Sequence, residues 1–163
     1  MHIRVNCNVL PRAPRGFSLE GWDVHRKMGK IMLKRGSSGK LYSNDVELVR
    51  RYSSLDERYE LREREKHVNA CVLDALLAHP KFIPEEWKGT TTYFLGTIFR
   101  SESSGTASVE GLYYDGRIWV YAIVPLDSHE HDNTPQLTHR SLFAITRGRI
   151  CDFVPGSSSY ING

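Results

Sequence analysis

The stretch Thr106–Val124, TASVEGLYYDGRIWVYAIV, decides how this chain is read. Two runs rich in β-branched and aromatic residues, Thr106–Tyr114 and Arg117–Val124, flank Asp115-Gly116. Such a dipeptide favours a two-residue type I′ turn, because both positions must tolerate positive φ. The turn then sets Tyr114 opposite Arg117, Leu112 opposite Trp119 and Val109 opposite Ala122. One face of the hairpin collects Val109, Gly111, Tyr113, Ile118, Val120, Ala122 and Val124 and reads as core. The other carries Glu110, Leu112, Tyr114, Arg117, Trp119, Tyr121 and Ile123. Its aromatic members Tyr114, Trp119 and Tyr121, with Arg117, offer rigid area with polar ends, which suits stacking of bases or docking of a protein. The alternative is that a helix or the N-terminal segment covers this face.

Working outward, TTTYFLGTIFR (Thr90–Arg100) supplies a third strand and completes a meander. The motifs IPEEWKG, YFLGTIFR and GLYYDGRIWVYAIVPLD, within Ile83–Leu126, resemble a pattern of uncharacterised bacterial proteins of no known function. That resemblance covers about a quarter of the chain. It implies that helix end, loop and meander form one structural unit, and it implies no activity. Farther along, SLFAIT and RICDFV predict a C-terminal hairpin around Arg147-Gly148, and 156–163 reads as a frayed tail.

Toward the N-terminus, Asn44 with Glu47 and Ser54 with Glu57 have the spacing of helix caps, in which the first side chain accepts an orphan N–H and the glutamate reaches back. They predict a short helix over Asp45–Tyr52 and a longer one from Leu55 to about Ala78, stopped by Pro80. The charged run ERYELREREK is a solvated face with internal pairs such as Glu60 with Arg64. The opening HIRVNCNVL alternates apolar and polar residues, as a half-buried strand does. Between them, 11–40 is a basic irregular excursion or arm with a short strand possible at Lys30–Lys34. The expected class is therefore α+β, with one domain over 1–163: an N-terminal strand and basic segment, two helices, then an antiparallel sheet built from the meander and the C-terminal hairpin.

With 163 residues, 40% hydrophobic and 25% charged, the chain has the composition of a globular domain. It holds no run of eighteen apolar residues and no leader-like start, so a soluble protein without membrane association is expected. Cys7, Cys71 and Cys151 are odd in number and widely spaced, which favours reduced, mostly buried thiols and a cytoplasmic setting.

The net charge of +3 is unevenly placed. Residues 1–40 hold nine Lys or Arg against two acidic residues, a balance of +7, whereas 41–100 and 101–163 carry −1 and −3. Surface charge contributes little to folding, so such a cluster points to an anionic partner, unless it pairs with the acidic remainder of the chain. The candidate nucleic-acid-binding residues are Arg12, Arg15, Arg26, Lys27, Lys30, Lys34, Arg35 and Lys40, with Phe17 and Trp22 available for stacking.

Two segments resemble chemistry more than they support it. DSHEHDN (Asp127–Asn133), with His139 beyond it, gathers side chains that bind metals. It lacks the fixed frame or second ligand cluster of established zinc sites and reads as a surface loop, with His129, His131 and His139 as the alternative metal set. RGSSGK (Arg35–Lys40) has the wrong spacing for a phosphate loop, and Leu41 stands where Ser or Thr is required. No nucleophile-elbow motif occurs, although a Cys and His pairing through space stays open.

The resulting expectation is a non-enzymatic accessory or regulatory protein, without cofactor, whose basic N-terminal segment engages nucleic acid or a ribonucleoprotein. The alternatives are a protein-binding module or inhibitor that uses the aromatic sheet face, and a metal-dependent hydrolase built on the three histidines.

Overall fold

A computed structural model describes residues 1–19, 24–48, 50–52, 68–126 and 142–144. The opening alternation forms β1 (His2–Asn6), which pairs antiparallel with β3 (Lys30–Arg35) in the register Ile3 with Leu33 and Val5 with Ile31. The sheet continues through β4 (Leu41–Ser43) to β5 (Val46–Glu47). Alternate residues point inward, so Val5, Ile31, Leu33 and Leu41 are buried.

β4 and β5 correct the first expected helix. Asn44 and Asp45 have φ of 48° and 66° and form the two-residue loop between the paired Ser43 and Val46. Left-handed geometry at both positions defines a type I′ turn, and Asn and Asp are among the few side chains that tolerate it. A bond across the sheet fixes the choice, because the Asn44 Oδ1 accepts the Met32 N–H at 2.9 Å instead of capping a helix. Arg50–Tyr52 is likewise a strand, β6.

The second sheet runs in the order β2 (Phe17–Ser18), β8 (Phe99–Ser101), β9 (Ala107–Tyr114), β7 (Thr92–Tyr93), β11 (Leu142–Ala144) and β6, and β10 (Trp119–Pro125) also pairs with β9. The pairing is antiparallel except between β11 and β7. β9 is its axis, with β10 along one edge and β8 and β7 sharing the other. TTTYFLGTIFR is thus two short strands, not one. Among the described residues there is one α-helix, α1 (Ala70–Ala78), followed by single 3₁₀ turns at Pro80–Phe82 and Glu85–Trp87. The described residues are mostly β and form two sheets with one helix, which overturns the expected α+β order of basic irregular segment, two helices and one sheet. The partner strand expected of the C-terminal hairpin, RICDFV, and residues 55–67 of the expected second helix lie outside the described residues, and the described helix begins only at Ala70.

The hairpin within Thr106–Val124 forms with a shifted register. Trp119 pairs with Tyr114 and Tyr121 with Leu112, two residues beyond the expected pairing. The Asp115 carboxylate is the cause: its Oδ1 accepts the N–H groups of Arg117 and Ile118, both at 2.8 Å, and closes a four-residue loop. Those bonds hold the Asp115 carboxyl below its ordinary range. Ile118 leaves the core for the loop and is 61% exposed. A shift of two preserves which residues share a face, so the two-face division survives.

Both faces of β9 are covered. Val109 joins Tyr93, Leu95, Ile98, Val124 and Leu126 on one side. Leu112 joins α1, the 3₁₀ turns and the inner face of the first sheet on the other. Gly96 fixes the approach of α1 to the second sheet: its N–H donates to the Val68 carbonyl at 2.9 Å, and a Cβ there would stand 2.6 Å from that oxygen and 2.7 Å from the Asn69 nitrogen. Backbone cannot swing aside as a side chain can. Gly96→Ala is therefore expected to destabilise the protein by about 2–3 kcal/mol, measured by denaturant unfolding.

Candidate functional site

The outer face of the first sheet concentrates positive charge. β3 exposes Lys30, Met32 and Lys34 while burying Ile31 and Leu33, and β1 exposes His2, Arg4 and Asn6. Register pairs Asn6 with Lys30, Arg4 with Met32 and His2 with Lys34, and cross-strand partners lie on one face. Tyr42 follows beside Lys34 on β4. Arg4, Lys30 and Lys34 thereby surround Met32, which is 37% exposed, with the half-buried Tyr42 at one margin. A shallow cavity of about 460 Å³ borders Arg4, Asn6, Lys30, Met32 and Asn44, and another of about 440 Å³ borders Lys34, Arg35, Ser37 and Tyr42.

The eight basic candidates do not converge. Lys30 and Lys34 are on this face, and Arg4, absent from the candidate set, stands between them. Its place in the alternation of HIRVN was the signal that could have found it. Arg35 donates to the Lys81 carbonyl at 2.5 Å, and Lys40 pairs with Glu47 at 3.1 Å. That carboxylate raises the Lys40 pKa. Arg26 ties its backbone N–H to the Gly96 carbonyl at 2.7 Å, and Lys27 is exposed beside it. Arg12 and Arg15 lie elsewhere, at a cleft beside Tyr121. Phe17 is half-buried in β2, and Trp22 is outside the described residues. RGSSGK is the β3–β4 connection: the Gly36 N–H donates to the Lys40 carbonyl at 2.9 Å and the Gly39 N–H to the Gly36 carbonyl at 3.0 Å, so neither is presented to an anion.

The aromatic face divides. Tyr114 and Trp119 pack together with ring centroids 5.3 Å apart, Lys88 sits 4.3 Å above the Tyr114 ring, and Trp119 packs on the core. Arg117 is exposed in the loop and gives its carbonyl to the Tyr114 hydroxyl at 3.2 Å. Tyr121 is 46% exposed and faces a cleft. His129, His131 and His139, the alternative metal set, lie outside the described residues, and among those described no three His, Cys, Asp or Glu side chains are grouped to hold an ion.

Beneath Tyr121 the structure brings together residues that the sequence separated. A cleft of about 390 Å³ is lined by Arg12, Pro14, Arg15, Asp74, Glu110 and Tyr121. Glu110, on β9, is 4% exposed, and burial with the nearby Asp74 charge pushes its carboxyl up to about 8. Asp74, on α1, is exposed at its outer edge, and partial burial of its carboxyl against the cleft raises it in the same direction.

Comparisons of the chain with family models, curated proteins and solved structures find no match. The functional reading consequently rests on local chemistry.

A second buried cluster is structural. His25 is fully buried, with Nδ1 2.9 Å from the Thr97 Oγ1 and Nε2 3.4 Å from the Asn69 Nδ2. Cys7 and Cys71 are free thiols nearby. Burial, and for Cys7 the neighbouring Cys71, pushes them up to about 12 and about 11, so neither supplies a thiolate at neutral pH. Among the described residues the Cys and His pairing that the sequence left open has no nucleophile, and Cys151 lies outside them.

Proposed function

We propose that the protein binds nucleic acid, and single strands in preference to duplex, through the outer face of its first sheet. The observation that carries this reading is the register of β1 on β3, which sets Arg4, Lys30 and Lys34 around an exposed Met32. Lys30 and Lys34 are four residues apart on one strand, about 13 Å, so their ammonium groups meet successive parts of a backbone and do not compete for one phosphate. Met32 and Tyr42 supply apolar surface on which unpaired bases rest, a sequence-tolerant contact that duplex DNA does not offer.

Three such cations give a binding constant that falls with log salt at a slope of roughly −2 for single strands. Arg4→Ala with Lys30→Ala and Lys34→Ala is expected to remove most of that slope while leaving the fold intact. Fluorescence anisotropy with single-stranded and duplex oligonucleotides at several salt concentrations checks both. Unchanged binding by the triple variant, or tighter binding of duplex, rules this reading out.

A further inference from the structure

We propose that the cleft between the Arg12–Arg15 segment, α1 and β10 is a binding site for a small organic acid, a monocarboxylate with a hydroxyl or carbonyl oxygen beside its carboxylate. The site is separate from the basic sheet face. Its decisive member is Glu110, a side chain 4% exposed that lines the cleft and makes no side-chain hydrogen bond among the described residues. A buried polar group without a partner is costly, and clefts with convergent polar groups are where ligands supply the missing one.

The charges facing Glu110 select the ligand. Arg12 and Arg15 come from the N-terminal segment, Asp74 from α1 and the Tyr121 hydroxyl from β10. With two guanidinium groups, one ionised Asp74 and a protonated Glu110, the cleft carries one net positive charge at neutral pH. A single negative charge is matched there, whereas a dianion sets its second charge against Asp74. Guanidinium forks take carboxylates bidentately, and Arg12 and Arg15 sit at the exposed rim where a carboxylate enters. Glu110, protonated because its carboxyl lies at about 8, donates its O–H from the buried wall to an uncharged oxygen of the ligand. At about 390 Å³ the cleft admits a molecule at the small end of the metabolite range.

The test is titration of the full chain with glycolate, acetate and sulfate at pH 7 and pH 9. It is followed by the Arg12 and Arg15 Nε–H resonances and by the carbon resonance of the Glu110 carboxyl. Glycolate is expected to saturate, to bind more tightly than acetate because it adds the oxygen that Glu110 meets, and to exceed sulfate. As Glu110 must keep its proton, glycolate affinity in the wild type is expected to be roughly tenfold lower at pH 9 than at pH 7. Glu110→Gln keeps a neutral donor and flattens that dependence, and Arg12→Ala with Arg15→Ala lowers affinity at least tenfold. The Arg4, Lys30 and Lys34 triple variant binds glycolate as the wild type does, which separates this site from the nucleic-acid face. Absence of saturation by glycolate, tighter binding of sulfate, or wild-type affinity in the Arg12, Arg15 double variant overturns the proposal.

Discussion

Glu110→Gln is expected to stabilise the protein by about 3 kcal/mol at pH 7, rising toward about 5 kcal/mol above pH 8, with little effect at pH 4. The folded-state carboxyl is raised from its ordinary 4.5 to about 8 by burial and by Asp74. Between those values the unfolded chain has released the proton that the folded chain retains, so wild-type stability declines as pH rises through that window. Below it both states are protonated and the difference vanishes. Glutamine cannot ionise and removes the dependence without changing volume appreciably. Urea unfolding of both proteins from pH 4 to pH 9 measures it, and parallel curves across that range would exclude a raised carboxyl. A residue kept at such a cost in stability, on a strand whose other buried positions are apolar or small, is explained by use of the cleft and not by packing.

Asn69→Ala should destabilise by about 3–5 kcal/mol, the larger figure applying if no water takes over its bonds. Asn69 is fully buried and serves both ends of its amide. The Oδ1 accepts the Cys71 N–H at 3.0 Å and caps α1, while the Nδ2 donates to the Cys7 and Arg26 carbonyls at 2.9 and 2.8 Å. One side chain thereby joins the helix to the chain leaving β1 and to the segment entering β3. Alanine loses the cap and strands the buried Cys7 carbonyl and the part-buried Arg26 carbonyl. Asn69→Asp keeps the cap acceptor but turns the donor into a third oxygen facing those carbonyls, so it should be no better than alanine. Chemical denaturation of both variants decides it: a loss under about 1 kcal/mol for alanine, or rescue by aspartate, would show that the joint lies elsewhere.

Period-two alternation made β1 and the β9–β10 hairpin legible, because a strand with one buried face must alternate. The register was hidden in a single carboxylate. Asp115 reads as a turn residue in either loop, and its two bonds to Arg117 and Ile118 decide for the longer one. Asn44-Asp45 was ambiguous for a related reason: cap residues and left-handed turn residues are the same types, and the Met32 N–H that chooses between them lies twelve positions away. The excess of cations was legible as a count but not as a surface. Alternation on β1 and β3 sends Arg4, Lys30 and Lys34 to one face, whereas Arg12 and Arg15, counted with them, end beside the carboxyl groups of Asp74 and Glu110. The cleft itself left little trace in sequence. Glu110 falls on the polar side of an alternating strand, where solvent is the natural reading, and only the packing of α1 with Asp74 shows that the position is buried.

The placement of β11 carries a consequence for how the protein is made. Leu142 pairs with Tyr52 on one edge and Thr92 on the other, so one short strand splices segments whose residues are ninety and fifty positions earlier in the chain. While the polypeptide is still emerging from the ribosome, the first sheet has all four of its strands, yet β6 and β7 wait with open edges until residue 144 has cleared the exit tunnel. Closure of the second sheet is thus a late, long-range step of high contact order, and it is the interval in which the nascent chain is most exposed to pairing with a neighbour.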